Sequence, residues 1–234
     1  KQKTAYEIKE CDWSSDVCSS DLKLSKTSKL DNIKSWSLQA LTTCPGSIAK
    51  DGGLVDACKG CYATQGFYNF SQPKAVRADN KQDWQRDEWV TDMVAALKKE
   101  SYFRWFDSGD MYSVKLAEKM LAVMVATPHV KHWLPTRMYK FEKFASVLAK
   151  MQALPNVMVR FSSDSVIGQY TKGLHGSTIL PSQDAPEGVF RCEAYNNGGK
   201  CSGCRACYSK DIPVIGYVQH GRAMKKVVAL KLAA

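Results

Sequence analysis

YFRWFDSGDMYSVKLAEKMLAVMVATPHVKHWLPTR, residues 102–137, holds an aromatic run, a polar turn, a helical pattern and a second aromatic run in succession. Tyr102–Phe106 and Lys131–Leu134 have the aromatic character of strands. Between them Ser113 is a good N-cap, and Leu116, Met120, Leu121 and Met124 keep helical spacing until Pro128 stops it. Strand, helix and strand in that order predict two parallel strands joined by a crossover helix.

The same alternation continues outward. Upstream, a strand is expected over Ser35–Leu41 and a helix over about Ala75–Lys99, where Val90, Met93, Val94 and Leu97 recur at i, i+3, i+4 and i+7. Downstream come a helix over Phe141–Ala153, stopped by Pro155-Asn156, a strand over Val157–Phe161, and strands at Ser177–Leu180 and Val214–Val218. The fold class expected is α/β, a parallel sheet closed or partly closed into a partial (βα) parallel barrel. Ligands of such folds sit at the carboxyl ends of the strands. Asp107-Ser108-Gly109-Asp110, Thr136-Arg137 and Ser162-Ser163-Asp164 stand at those ends. The candidate binders of cofactor or substrate are therefore Ser108, Gly109, Asp110, Thr136, Arg137, Arg160, Ser162 and Asp164. A helix cap explains Ser113 or Asp164 equally well.

Residues 1–22, KQKTAYEIKECDWSSDVCSSDL, read as a translated sequencing adapter, a non-native leader that would remove Cys11 and Cys18 from the cysteine count. Residues 23–234 are then long enough for one α/β domain with its own core. Of 33 basic and 23 acidic residues, three and five lie in the leader, so the rest carries a formal +12. That charge favours anionic ligands or nucleic acid, although the basic residues are scattered. The longest apolar stretch, Met120–Thr127, is too short for a membrane span, so a soluble, cytoplasmic protein is expected.

Seven cysteines carry the chemistry. Cys44 lies in a CPGS turn after the first expected strand, and Cys58-Lys59-Gly60-Cys61 follows; three thiolates leave one coordination position open on a zinc or on a four-iron cluster. Cys192, Cys201, Cys204 and Cys207 form a complete set of four within a cysteine-rich segment, residues 190–210. Their CxxCxxC spacing is denser than zinc-ribbon knuckles and closer to iron–sulfur ligation. Seven cysteines make a poor disulfide framework, whereas structural zinc accepts the same thiolates and stays open as the alternative. His129, His132, His175 and His220 suit packing or surface roles, with His175 in GLHGS the one to watch.

The KLSK at Lys23, the CPGS and CKGCYA stretches, SGDMY, PTR, FSSDS and CSGCRAC together resemble the bacteriophage gene-product-eighty-eight family over nearly all of Lys23 to Gly221. That family is largely uncharacterised. A broader similarity is to radical S-adenosylmethionine enzymes, whose partial barrel carries three cysteines after the first strand. The resemblance implies that Cys44, Cys58 and Cys61 hold a 4Fe-4S cluster whose free iron chelates S-adenosylmethionine, with Ser108-Gly109-Asp110 near the amino group. The thirteen residues between Cys44 and Cys58 are a wider gap than the usual motif has, and Tyr62 follows the last cysteine instead of preceding it. Cys192–Cys207 resembles an auxiliary cluster, an electron relay or a stiffener.

Three functions follow as expectations: a radical S-adenosylmethionine-like enzyme of phage origin acting in the host cytoplasm; a non-catalytic nucleic-acid-binding protein with structural zinc or iron–sulfur sites, its aromatics between Tyr62 and Phe70 stacking bases; and an electron carrier. The chain offers no general base and no Walker loop, and names no substrate.

Overall fold

Residues 22–233 are described by a computed structural model; the leader expected at 1–22, with Cys11 and Cys18, lies almost wholly outside the described residues. In chain order the elements are β1 (Ser25–Thr27), β2 (Ile33–Trp36), α1 (Asp56–Lys59), α2 (Ser71–Asp83), α3 (Trp89–Leu97), β3 (Tyr102–Trp105), α4 (Val114–Ala126) and β4 (Lys131–Thr136). There follow α5 (Ala145–Ala153), β5 (Val157–Ser162), β6 (Gly176–Leu180), β7 (Val189–Arg191), β8 (Val214–Val218) and α6 (Arg222–Leu232). The strands form one sheet in the order β1-β2-β3-β4-β5-β6-β8-β7, parallel throughout except for the antiparallel β1–β2 pair. Strand–helix alternation along residues 102–137 thus produced the parallel α/β sheet expected of it.

Side-chain alternation gives the sheet two different faces. In β3, Phe103 and Trp105 are fully buried against the helices, while Tyr102 and Arg104 project from the opposite face. Leu116, Ala117, Met120, Val123 and Met124 of α4 are fully buried in the same core, and each large apolar side chain so buried contributes about 2 kcal/mol. Trp36 packs edge-on against Trp89, Trp105 and Phe106, with ring centroids 5.3, 6.4 and 5.8 Å away. His132 is buried here too, stacked on Trp105 and bonded to the Thr127 hydroxyl at 2.9 Å; burial pushes its pKa down to about 4, so it is a neutral core residue.

Three expectations shift. The strand expected at Ser35–Leu41 occupies Ile33–Trp36, because Thr42 and Thr43 turn their hydroxyls back onto the Gln39 carbonyl, at 3.2 and 2.7 Å, and curl the chain. The helix expected over Ala75–Lys99 is two helices. Lys119 donates to the carbonyls of Trp84 and Arg86 at the break, and Arg86 binds Asp83 at 2.6 Å and Asp92 at 2.8 Å across it. The helix expected to begin at Phe141 begins at Ala145, after a single 3-10 turn. Among the described residues no helix is long and apolar enough to cross a membrane.

Candidate functional site

The sheet face that carries Arg104 and Trp133, with residues of α1, α2 and α6 around it, lines a cavity of about 1090 Å³, and both cysteine groups reach it. Cys44, Cys58 and Cys61 line it at the carboxyl ends of the strands, and Cys192, Cys201 and Cys207 line it too, while Cys204 is exposed.

The first group is held by the loops that leave β2, β3, β4 and β5. The Leu38 N–H donates to the Ser108 carbonyl at 3.0 Å, and the Phe106 N–H to the Trp36 carbonyl at 2.8 Å, so the exits of β2 and β3 are zipped together. α1 starts where the Ala57 N–H meets the Asp164 carbonyl at 2.9 Å. Gly60, inside the CKGC motif, lets α6 cross: a Cβ there would stand 2.7 Å from Met224 Cα. Arg137 donates to Asp164 at 3.2 Å and to the Ser163 carbonyl at 2.7 Å. Lys140 reaches Asp164 as well as the Gly46 carbonyl, the latter at 2.9 Å.

Burial pushes the Cys44 thiol up to about 12, helped by the nearby Asp110 carboxylate and by Cys58 and Cys61. Burial also raises Cys58 and Cys61, with the Arg137 guanidinium opposing it at both. As free thiols the three are therefore neutral, and a thiolate form needs added positive charge, which a metal supplies while releasing the protons. Soft thiolates gathered beside a fixed guanidinium suit iron–sulfur or zinc chemistry in donor type. Among the described residues no three Cys, His, Asp or Glu side chains converge closely enough to share one metal ion.

The second group folds across the lower part of the same face. The Cys201 N–H donates to the Lys29 carbonyl at 2.8 Å, and Asp31 accepts from the Gly203 N–H at 3.0 Å and from Arg205 at 2.7 Å. Tyr208 wedges between Tyr102 and Trp133, with centroids 5.1 and 5.8 Å away. Burial pushes Cys201 up to about 11, reinforced by Cys192 and Cys207; burial raises Cys207 against the Tyr217 hydroxyl bonded to it at 3.3 Å.

Of the eight candidate ligand binders, Ser108, Gly109, Asp110, Thr136, Arg137 and Ser162 line the cavity. Most of their polar atoms brace the walls. Asp110 accepts from the Met111 N–H, the Thr136 hydroxyl and the Arg137 N–H at 2.8, 2.8 and 2.9 Å, and Ser108 donates to the Leu38 carbonyl at 2.7 Å. Gly109 has φ +81°, and a Cβ would meet Leu38 Cβ at 2.6 Å, so it is required by packing. Asp164 is outside the lining, in its ion pairs.

Arg160 needs correction. Its Nε donates to the Cys207 carbonyl at 3.0 Å, Nη1 to Gly176, Ile212 and Pro213 at 3.0–3.4 Å, and Nη2 to Ala206 and Ser209 at 2.9 Å. All five N–H groups are committed to the backbone, leaving none for a ligand. His175 likewise ties down the Lys210 carbonyl, at 2.8 Å. Sequence reasoning missed Arg104, Trp133 and Tyr217, which line the cavity from β3, β4 and β8; a charged residue alternating with Phe103 and Trp105 was the available signal.

The family model for Gene product 88 matches residues 10–222. The chain belongs to that family. The Gene product 88 match spans both cysteine groups and every residue of the cavity wall up to His220, and it begins inside the segment expected to be a leader. No curated protein and no solved structure is significantly similar to the chain.

Proposed function

We propose that this Gene product 88 chain is an iron–sulfur enzyme of the radical S-adenosylmethionine type. One observation carries the reading: three thiols on the loops beyond the carboxyl ends of parallel strands face a cavity that a second, four-cysteine segment also enters. In this reading the eight-stranded sheet is a partial (βα) barrel. Cys44, Cys58 and Cys61 would hold the reactive 4Fe-4S cluster, each thiolate on a different iron, and Cys192, Cys201, Cys204 and Cys207 would hold a second one. Bound there and charged with one electron by an external reductant, such a cluster would supply one-electron reductive chemistry toward a sulfonium.

The chain's own residues supply position and charge. Arg137 sets a fixed positive charge beside Cys58 and Cys61, and Asp110 with Thr136 fixes the backbone from which Arg137 projects. The cavity walls, Trp133 and Phe106 among them, exclude water from reactive intermediates. Anaerobic reconstitution with iron and sulfide tests the reading: it expects a four-iron electron paramagnetic resonance signal that changes when S-adenosylmethionine is added. No such signal, or one indifferent to the cofactor, overturns it. Zinc in place of iron after anaerobic purification would favour structural sites.

A second reading, nucleic-acid binding, has an observation of its own. Phe67 and Phe70 are 64% and 61% exposed and pack edge-to-face at 5.5 Å, a platform on which bases stack. It expects salt-dependent binding of single-stranded DNA or RNA that weakens on Phe67→Ala; binding indifferent to salt removes it.

A further inference from the structure

Arg104 and Arg160 project from neighbouring parts of the same sheet face, yet their surroundings differ completely. Arg104 pairs in register with Trp133, which is paired in turn with Met158, two residues before Arg160. Whereas Arg160 has every N–H bonded, Arg104 makes a single hydrogen bond among the described residues, Nη2 to the Tyr62 hydroxyl at a long 3.4 Å. Its Nε has no hydrogen-bond partner, and none of the ion pairs among the described residues involves it. Asp107 is the nearby acid, but its carboxylate is taken by the Ser37 and Tyr68 hydroxyls, and its carbonyl by the Tyr62 hydroxyl at 2.5 Å.

The guanidinium is nonetheless held in place. Its carbon lies 4.7 Å from the Trp133 ring centroid, so one face rests on the indole while the residue lines the cavity between the two cysteine groups. A half-buried, positioned guanidinium with one long hydrogen bond and a buried, unpartnered Nε is costly unless something brings it an acceptor.

The geometry points to Arg104 as the binding site for a carboxylate group of the substrate, taken in the plane of the guanidinium. A planar fork matches a carboxylate with two parallel N–H···O bonds. One cation offsets one negative charge, and the Asp107 carboxylate close behind it disfavours a phosphate dianion. The inference rests on the cavity being the reaction chamber proposed above, and it adds that the substrate is a small acid.

Equilibrium dialysis of labelled benzoate against the reconstituted full chain reads the site without turnover. We expect saturable binding that weakens tenfold or more in Arg104→Met and is only partly restored in Arg104→Lys, with inorganic phosphate failing to compete. Unchanged circular dichroism and iron content establish that both variants fold; should Arg104→Met not fold, Arg104→Lys alone still has to weaken binding. The site is overturned if the wild type does not bind at about 10 mM, if both variants bind as well as the wild type, or if phosphate competes equally. Competition by S-adenosylmethionine would give the carboxylate to the cofactor and overturn the substrate assignment. Iron content is measured separately, so benzoate binding in a chain that holds no cluster refutes the cluster, and a loaded chain that ignores benzoate refutes the site.

Discussion

The two cysteine groups face one cavity but are held by opposite means. Cys44, Cys58 and Cys61 stand on loops where four strand exits, two cations and a crossing helix converge, so many small contacts share their support. The four-cysteine segment has little regular structure, and five carbonyls of its final stretch, residues 206–213, gather on one buried guanidinium, with His175 and Lys210 adding peripheral bonds. Distributed support tolerates the loss of any one contact. Support concentrated in one guanidinium tolerates its loss less well.

The largest expected effect comes from removing that guanidinium. Arg160→Met takes the charged donor from six carbonyls, of which Ala206 and Pro213 keep a backbone N–H, and hydrogen bonds to a charged group are worth about 1.5–3 kcal/mol each. We expect a loss of at least about 4 kcal/mol in denaturant unfolding. Iron retained at the four-cysteine segment should fall, while the other group still loads. Equal loss at both would erase the contrast.

Acid should act on the shared frame instead. His132 has a folded pKa near 4, against an ordinary value of 6.5, so below about pH 6.5 the unfolded chain binds the extra proton. Its stabilising contribution is complete above pH 6.5 and lost as pH falls toward 4, by about 3 kcal/mol. Asp110 works in the opposite sense: burial raises its pKa, so its contribution is lost as pH rises through that raised value. Comparing metal-free wild type with His132→Phe across pH 4–7 isolates the histidine; parallel profiles would rule it out.

The smallest effect sharpens the contrast from the other side. In Gly60→Ala the new methyl meets the Met224 backbone and pushes α6 from the first group, at about 2 kcal/mol. Thermal unfolding should register that, and metal loading should fall at Cys44, Cys58 and Cys61 alone.

Much of the frame was legible because it rests on local period. The aromatic runs gave β3 and β4, and the helical spacing from Leu116 to Met124 gave α4. β1 and β7, three residues each, are too short to show a period and exist through their partners. The break at Trp84–Glu88 was invisible because Lys119, which holds it, comes from another helix. Spacing shows that both cysteine sets fall near strand ends and turns, and the fold adds that six of the seven line one cavity. The roles of the two arginines were not readable: Arg160 drew notice near a strand end, but only the return of residues 206–213 across β5 decides that its donors are used, and only the fold leaves those of Arg104 open.

Asp31 and Gly203 touch across 172 residues of chain. The entropy of closing so long a loop rises only logarithmically with its length, so equilibrium stability barely registers the distance. Time does. During synthesis, which runs from the N-terminus, β1 and β2 wait with their Lys29 and Asp31 acceptors unanswered until nearly the whole polypeptide has emerged. The four-cysteine segment is thus seated late, together with β8 and α6, and a chain truncated before residue 201 would lack β8 as well as the lower floor, leaving β1 to β6 paired and β7 without its neighbour.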